Sequence, residues 1–220
     1  MVGFQRVGGL AAILAAATYL VGFWAYFTVL GPANYGSSLI PPSQHVEFLI
    51  ENQPFMHLWN LIIFILNAIL MVVISVAVHH RIKHGCEQLA QTATVFGLIW
   101  AGLILASGMV ANISLEQIVK LAATDPEEAA TLWLALTTVE EGIGGGNEIT
   151  GGMWILLVSW AAQWARSIPS VINLLGLIVG GAGVLTMVPA LTEAASVFGL
   201  GFIVWFVLVG FVLLFTKART

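Results

Sequence analysis

Charge is what this sequence has least of. Only 8% of its 220 residues are Asp, Glu, Lys or Arg, against the roughly 25% that a water-facing domain carries. A chain so short of charge cannot dress an aqueous surface, and its surface is matched to lipid. Cysteine is nearly missing as well: Cys86 stands alone, which excludes an internal disulfide framework. Basic residues number 7 against 11 acidic ones, for a formal net charge of −4. No basic stripe is left to hold a phosphate backbone, so nucleic acid is excluded as a partner. The alternation of apolar and polar residues that marks strands of a membrane barrel does not occur. Ser107, Ser159, Ser167 and Ser170 lack the glycine-flanked elbow of a nucleophile, and the glycine cluster lacks the lysine of a phosphate-binding loop. No catalytic residue is therefore assigned, the chain is expected not to be an enzyme, and no cofactor is specified. Internal repeats are missing too, which argues against an inverted-repeat transporter, and with no linker the reading is one domain, 1–220.

What remains is apolar, 59% of the chain. A spanning helix takes about 20 mostly apolar residues, each rising 1.5 Å through a hydrocarbon core of roughly 30 Å. Six stretches meet this, at about 8–30, 54–79, 90–112, 146–165, 170–190 and 195–216. Backbone polar groups cannot stay unpaired in lipid, so the expected fold class is all-α: a polytopic membrane helical bundle with six transmembrane helices. The first run is too long for a cleaved signal peptide. With the N-terminus inside, Arg6, Arg81, Lys83, Arg166, Lys217 and Arg219 share the cytoplasmic side and Lys120 faces out, the bias of the positive-inside rule. Both termini are then cytoplasmic, and His79, His80 and His84 join Arg81 and Lys83 in a solvated collar.

The carboxylates gather on the opposite, external side, where two segments have helical signatures. Ser43 is placed to cap a short helix over Gln44–Gln53, with Val46, Leu49 and Ile50 on one face against the outer leaflet. Span three continues outward through Ile113, Leu115 and Ile118. A second helix then starts at Thr124-Asp125-Pro126-Glu127-Glu128, with Asp125 as cap and Pro126 in first position. The expectation is an external helical hairpin over about 113–145, extending spans three and four.

The residues with most chemical content run from Glu140 to Gly152. Wound as a helix, they place Glu141, Gly145, Glu148 and Gly152 on one stripe, with Glu140, Gly144, Asn147 and Gly151 beside it. An ionisable side chain in a membrane helix costs about 2.5–3.5 kcal/mol and normally faces the bundle interior or a wet cavity. Glu148 falls just inside the hydrocarbon edge; Glu140 and Glu141 fall above it. In span two, His57, Asn60, Phe64, Asn67 and Met71 recur at steps of three and four, and His57 or Asn60 is placed to pair with Glu148. Tyr26 offers a hydroxyl from the outer half of span one. The candidate ligand-binding set is Glu148, Asn147, His57, Asn60, Glu141 and Tyr26. Ordinary interhelical hydrogen bonding and small-residue packing explain the same residues, and that alternative stays open. His45, His57 and Glu148 have the ligand types of a metal site, but no metal is assigned. The run Gly176-x-x-x-Gly180-Gly181-x-Gly183 is a packing face, serving either the bundle or a homo-oligomer.

Three segments carry a resemblance: Gly8-Gly9-Leu10-Ala11-Ala12 with Tyr19-Leu20-Val21-Gly22, Gly97-Leu98-Ile99-Trp100-Ala101-Gly102, and Gly144 to Trp154 with its Gly-Gly-Gly-Asn-Glu run. They resemble an uncharacterised bacterial integral-membrane family catalogued only as a domain of unknown function. The resemblance implies a multi-span protein of the bacterial inner (plasma) membrane and no particular activity. Residues and resemblance together lead to the expectation that the protein binds or translocates a small molecule, lipid or ion at an outward-facing polar site. One alternative is a non-catalytic membrane subunit or assembly protein that docks a partner through the acidic hairpin. A weaker one is an outer-site metalloenzyme.

Overall fold

The computed structural model describes residues 2–145 and 148–216, and among them there are helices and connecting turns but no strands. In chain order these are α1 (Val2–Ala25), α2 (Pro42–Glu51), α3 (Gln53–Asn60), α4 (Asn67–Ile82), α5 (Glu87–Ala122), α6 (Pro126–Glu140), α7 (Ile149–Ala165), α8 (Ser170–Leu185) and α9 (Ala194–Phe215). Three π-helical segments interrupt or extend them: Tyr26–Leu30 after α1, Leu61–Leu66 between α3 and α4, and Glu141–Gly145 after α6. Four helical runs are long and apolar enough to cross a membrane: Gly3–Leu30, Gln53–Ile82, Glu87–Ala122 and Ala194–Phe215. α7 and α8 have 17 and 16 residues, so at 1.5 Å per residue they reach only about 24–26 Å.

The sequence stops α8 five residues short of the expected boundary at 190. Thr186 turns its hydroxyl onto the Gly183 carbonyl at 2.7 Å, ending the ladder, and Pro189 opens a separate 3-10 turn, Pro189–Leu191. α5 does the opposite. Its 36 residues extend roughly 54 Å, far beyond a hydrocarbon core, and the first arm of the expected hairpin is the end of this helix. The second arm begins as its residues dictate: the Asp125 carboxylate accepts the Glu128 N–H at 3.0 Å, with Pro126 in first position. The start of α2 corrects the Ser43 assignment. Pro41 is the cap, no side chain bonds there, and Pro42 occupies the first turn, where its fixed φ is already helical.

The chain divides into two compact units. The first comprises residues 2–17, 68–102 and 148–216. In it α7 and α8 pack through bare backbone: a Cβ on Gly180 would lie 2.6 Å from the Leu156 nitrogen, and one on Gly152 2.8 Å from the Gly180 carbonyl. Gly176 and Gly183 also face neighbours within this unit, whereas Gly181 meets nothing, so the glycine run serves packing inside the bundle. α1 and α9 approach equally closely at Gly9 and Gly210. Trp154, Trp205, Phe198 and Phe206 fill the centre. Arg81 is 6% exposed and not part of a solvated collar. Its guanidinium donates twice to the Ser167 carbonyl and also to the carbonyl and hydroxyl of Thr216.

The second unit comprises residues 18–67 and 103–145. Its core joins Leu30, Val46, Leu49, Met56, Leu115, Ile118, Ala129 and Trp133. α2 therefore lays Val46 and Leu49 against the hairpin, while Ile50 stays exposed. Lower in the unit, the fully buried Asn67 donates to the Thr18 hydroxyl at 2.6 Å and accepts from the Tyr19 hydroxyl at 3.4 Å.

Candidate functional site

All three π segments belong to the second unit, and all three border one cavity of about 470 Å³, through Tyr26, through Ile63 and Phe64, and through Glu141. A π turn widens the helix by one residue and gives up regular hydrogen bonding, and such turns concentrate at functional sites. After α1 the shift is visible directly: the Gly31 N–H bonds the Tyr26 carbonyl, five residues back, at 2.7 Å. Two residues into this turn the Thr28 hydroxyl holds the Trp24 carbonyl at 2.7 Å, a side-chain bond that competes with the helical ladder.

The hairpin supplies the rest of the wall from helical faces. Ala111, Ser114, Leu115 and Ile118 recur at steps of three and four on α5, and Trp133, Leu136, Thr137 and Glu140 do so on α6; all of them line the cavity. Aromatic rings of Tyr26, Tyr35, Trp59, Phe64 and Trp133 form much of the surface, and Asn60, Ser114, Thr137, Glu140 and Glu141 provide the polar groups. The loop carrying Tyr35 is held by His45, which is 1% exposed and stacked on Trp133 at 4.1 Å. The Gly36 N–H donates to its Nδ1 at 3.3 Å, so Nε2 carries the proton and donates to the Ser37 carbonyl at 3.2 Å. With both ring nitrogens engaged, His45 is no metal ligand, which removes it from the outer metal site considered from sequence. Burial lowers its pKa from the usual histidine value, consistent with a neutral ring.

Burial also dominates the electrostatics of the cavity. Removal from water, and then the neighbouring Glu141 carboxylate, push Glu140 up from 4.5 to about 7. Burial raises the Tyr35 hydroxyl to about 12, against a smaller lowering by its bond from the Trp133 indole N–H. Asn60 is 4% exposed. Its amide nitrogen is 3.5 Å from the Asn112 amide oxygen, which also accepts from His57 Nδ1–H at 3.2 Å.

Of the six residues singled out from sequence, Tyr26, Asn60 and Glu141 line this cavity. His57 stands behind Asn60, connected to it through Asn112. Glu148 belongs to the first unit, where it precedes α7 in a non-helical conformation (φ −107°, ψ 26°) and its N–H donates to Thr186 at 3.0 Å. Glu148 is therefore outside the helix, and the stripe Glu141–Gly145–Glu148–Gly152 is not continuous. Asn147 lies outside the described residues. Asn112, Trp133 and Thr137 were not anticipated, although the three-and-four spacing of Trp133, Leu136, Thr137 and Glu140 is present in the sequence.

A family described as a domain of unknown function (DUF4386) matches residues 7–216. The chain belongs to this family. The match spans both units and every residue of the cavity, so the site lies within the family's own fold and is no appendage to it. No curated protein and no solved structure matches the chain.

Proposed function

We propose that this member of the DUF4386 family is a six-span protein of a bacterial inner membrane, with both termini cytoplasmic, that binds a small molecule in the hairpin-walled cavity on the outer side. The observation that carries the reading is the meeting of three π-helical segments on one cavity of about 470 Å³. That volume is within the roughly 300–1,000 Å³ of ligand sites, and mostly apolar walls with a few placed polar groups are their usual make-up. α7 and α8 supply the fourth and fifth crossings, their shortfall accommodated by local thinning or by polar ends reaching the interface. Translocation fits the same reading, with Glu148, outside the helix before α7, as the next described polar group along the chain.

The test is a thermal-shift panel on protein in lipid nanodiscs, using small amines, carboxylates, alcohols and sugars, with Ser114→Trp filling the cavity. At least one class should raise the wild-type midpoint and leave the variant unmoved. If no class does, or if the shift survives in the variant, the cavity is not a binding site.

A further inference from the structure

We infer that the ligand of this cavity is an organic cation, a protonated amine carrying an apolar body; the inference rests on the binding reading above and specifies its ligand class. Two independent features of the wall agree. Among the described residues no Lys, Arg or His lines it, while two carboxylates, Glu140 and Glu141, do. Aromatic side chains approach from the first helical run (Tyr26), the following loop (Tyr35), the second run (Trp59, Phe64) and the hairpin (Trp133), and the faces of such rings attract cations, best when water is excluded.

Burial and the adjacent carboxylate leave Glu140 partly protonated around pH 7. The other titratable groups at the cavity are the Tyr26 and Tyr35 hydroxyls, and burial holds the proton on Tyr35. A cation entering the cavity favours the ionised form of Glu140 and releases its proton to solvent. Binding is therefore stronger at higher pH, and the steepest change lies around pH 7, where Glu140 titrates.

The probes are 2-phenylethylammonium, its near-isosteric neutral counterpart 2-phenylethanol, and phenylacetate, added to the full-length protein in nanodiscs and followed by tryptophan fluorescence and by thermal shift. The ammonium should bind at least about tenfold more tightly than the alcohol, and phenylacetate should not bind. Glu141→Gln should weaken the ammonium about tenfold and leave the alcohol unchanged. Glu140→Gln should flatten the pH dependence of ammonium binding. Equal binding of ammonium and alcohol, or preference for phenylacetate, overturns the cation and leaves the binding site standing. Failure of all three probes also overturns the cation, and the wider panel with Ser114→Trp then decides separately whether the cavity binds anything. If Glu141→Gln does not fold, Trp59→Leu removes one aromatic face of the wall and should weaken the ammonium more than the alcohol.

Discussion

Glu140 sits where burial and a like-charged neighbour both act against ionisation, and the consequence for stability has a definite sign. Its folded pKa of about 7 lies above the ordinary 4.5, so the folded state binds the proton more tightly than the unfolded chain does. The stability this confers is fully present below about 4.5 and is lost as pH rises through about 7. Thermal midpoints of wild type and Glu140→Gln, measured in parallel, should diverge over that window: the wild type loses midpoint with rising pH relative to the variant. A constant difference across the window would mean that Glu140 titrates normally. Arg81 poses the opposite case, a charge whose partners are all neutral. Arg81→Ala leaves the Ser167 carbonyl and the Thr216 groups without their donor, and buried hydrogen bonds to a charged group are each worth about 1.5–3 kcal/mol. The variant should unfold at distinctly lower temperature in detergent, and Arg81→Lys, which cannot span both acceptors with a planar fork, should recover only part of the loss. Full recovery by lysine would show that the charge alone matters.

Among the helices, α8 is the most sensitive to added volume, because it meets α7 backbone to backbone. A Cβ at Gly180 would stand 2.6 Å from the Leu156 nitrogen and 2.7 Å from the Gly152 carbonyl, so Gly180→Val must separate the pair. Overpacking of this kind costs about 1–3 kcal/mol or more. Gly181→Val adds its side chain where nothing stands within 4 Å and serves as the control. The first should lower the unfolding midpoint and the second should not; equal effects would mean that helix propensity, and not the close approach, sets the cost. The same helices show what was legible in the sequence. The overlong α5 and the Asp125 cap of α6 could be read because capping and periodicity are local. The end of α8 was placed late because hydropathy continues past Thr186 while its hydroxyl has already closed the helix. Of the cavity, Tyr26, Asn60 and Glu141 were legible as polar residues in apolar surroundings. Their meeting place was not, since π turns leave no mark in composition and the wall comes from segments distant in sequence. Periodicity places Glu148 on the Glu141 stripe only if one helix runs through the glycines, and Glu148 is non-helical.

At the scale of the whole molecule the open prediction is the path through the bilayer, and the single cysteine makes it testable. Cys86 lies in the turn before α5 and is partly exposed, and Asp125, exposed beyond the other end of that helix, is separated from it by one crossing. In the proposed arrangement a membrane-impermeant maleimide added to intact cells should leave Cys86 unlabelled and react after permeabilisation. In a Cys86→Ser background, Asp125→Cys should be labelled without permeabilisation. The decisive position is Ser170, exposed at the start of α8. If α7 and α8 each cross, despite reaching only about 24–26 Å, Ser170→Cys must behave like Cys86. If the two short helices instead enter and return to the same face as a glycine-packed pair, Ser170→Cys stays buried in lipid or is labelled from the side of Asp125. The positive-inside bias distinguishes these outcomes in advance, because Arg166 lies four residues before Ser170 and joins Arg6, Arg81 and Lys83 only if α7 crosses. Labelling of Ser170→Cys only after permeabilisation supports six spans, and any other pattern reduces the crossings to the four helical runs long enough to span on their own.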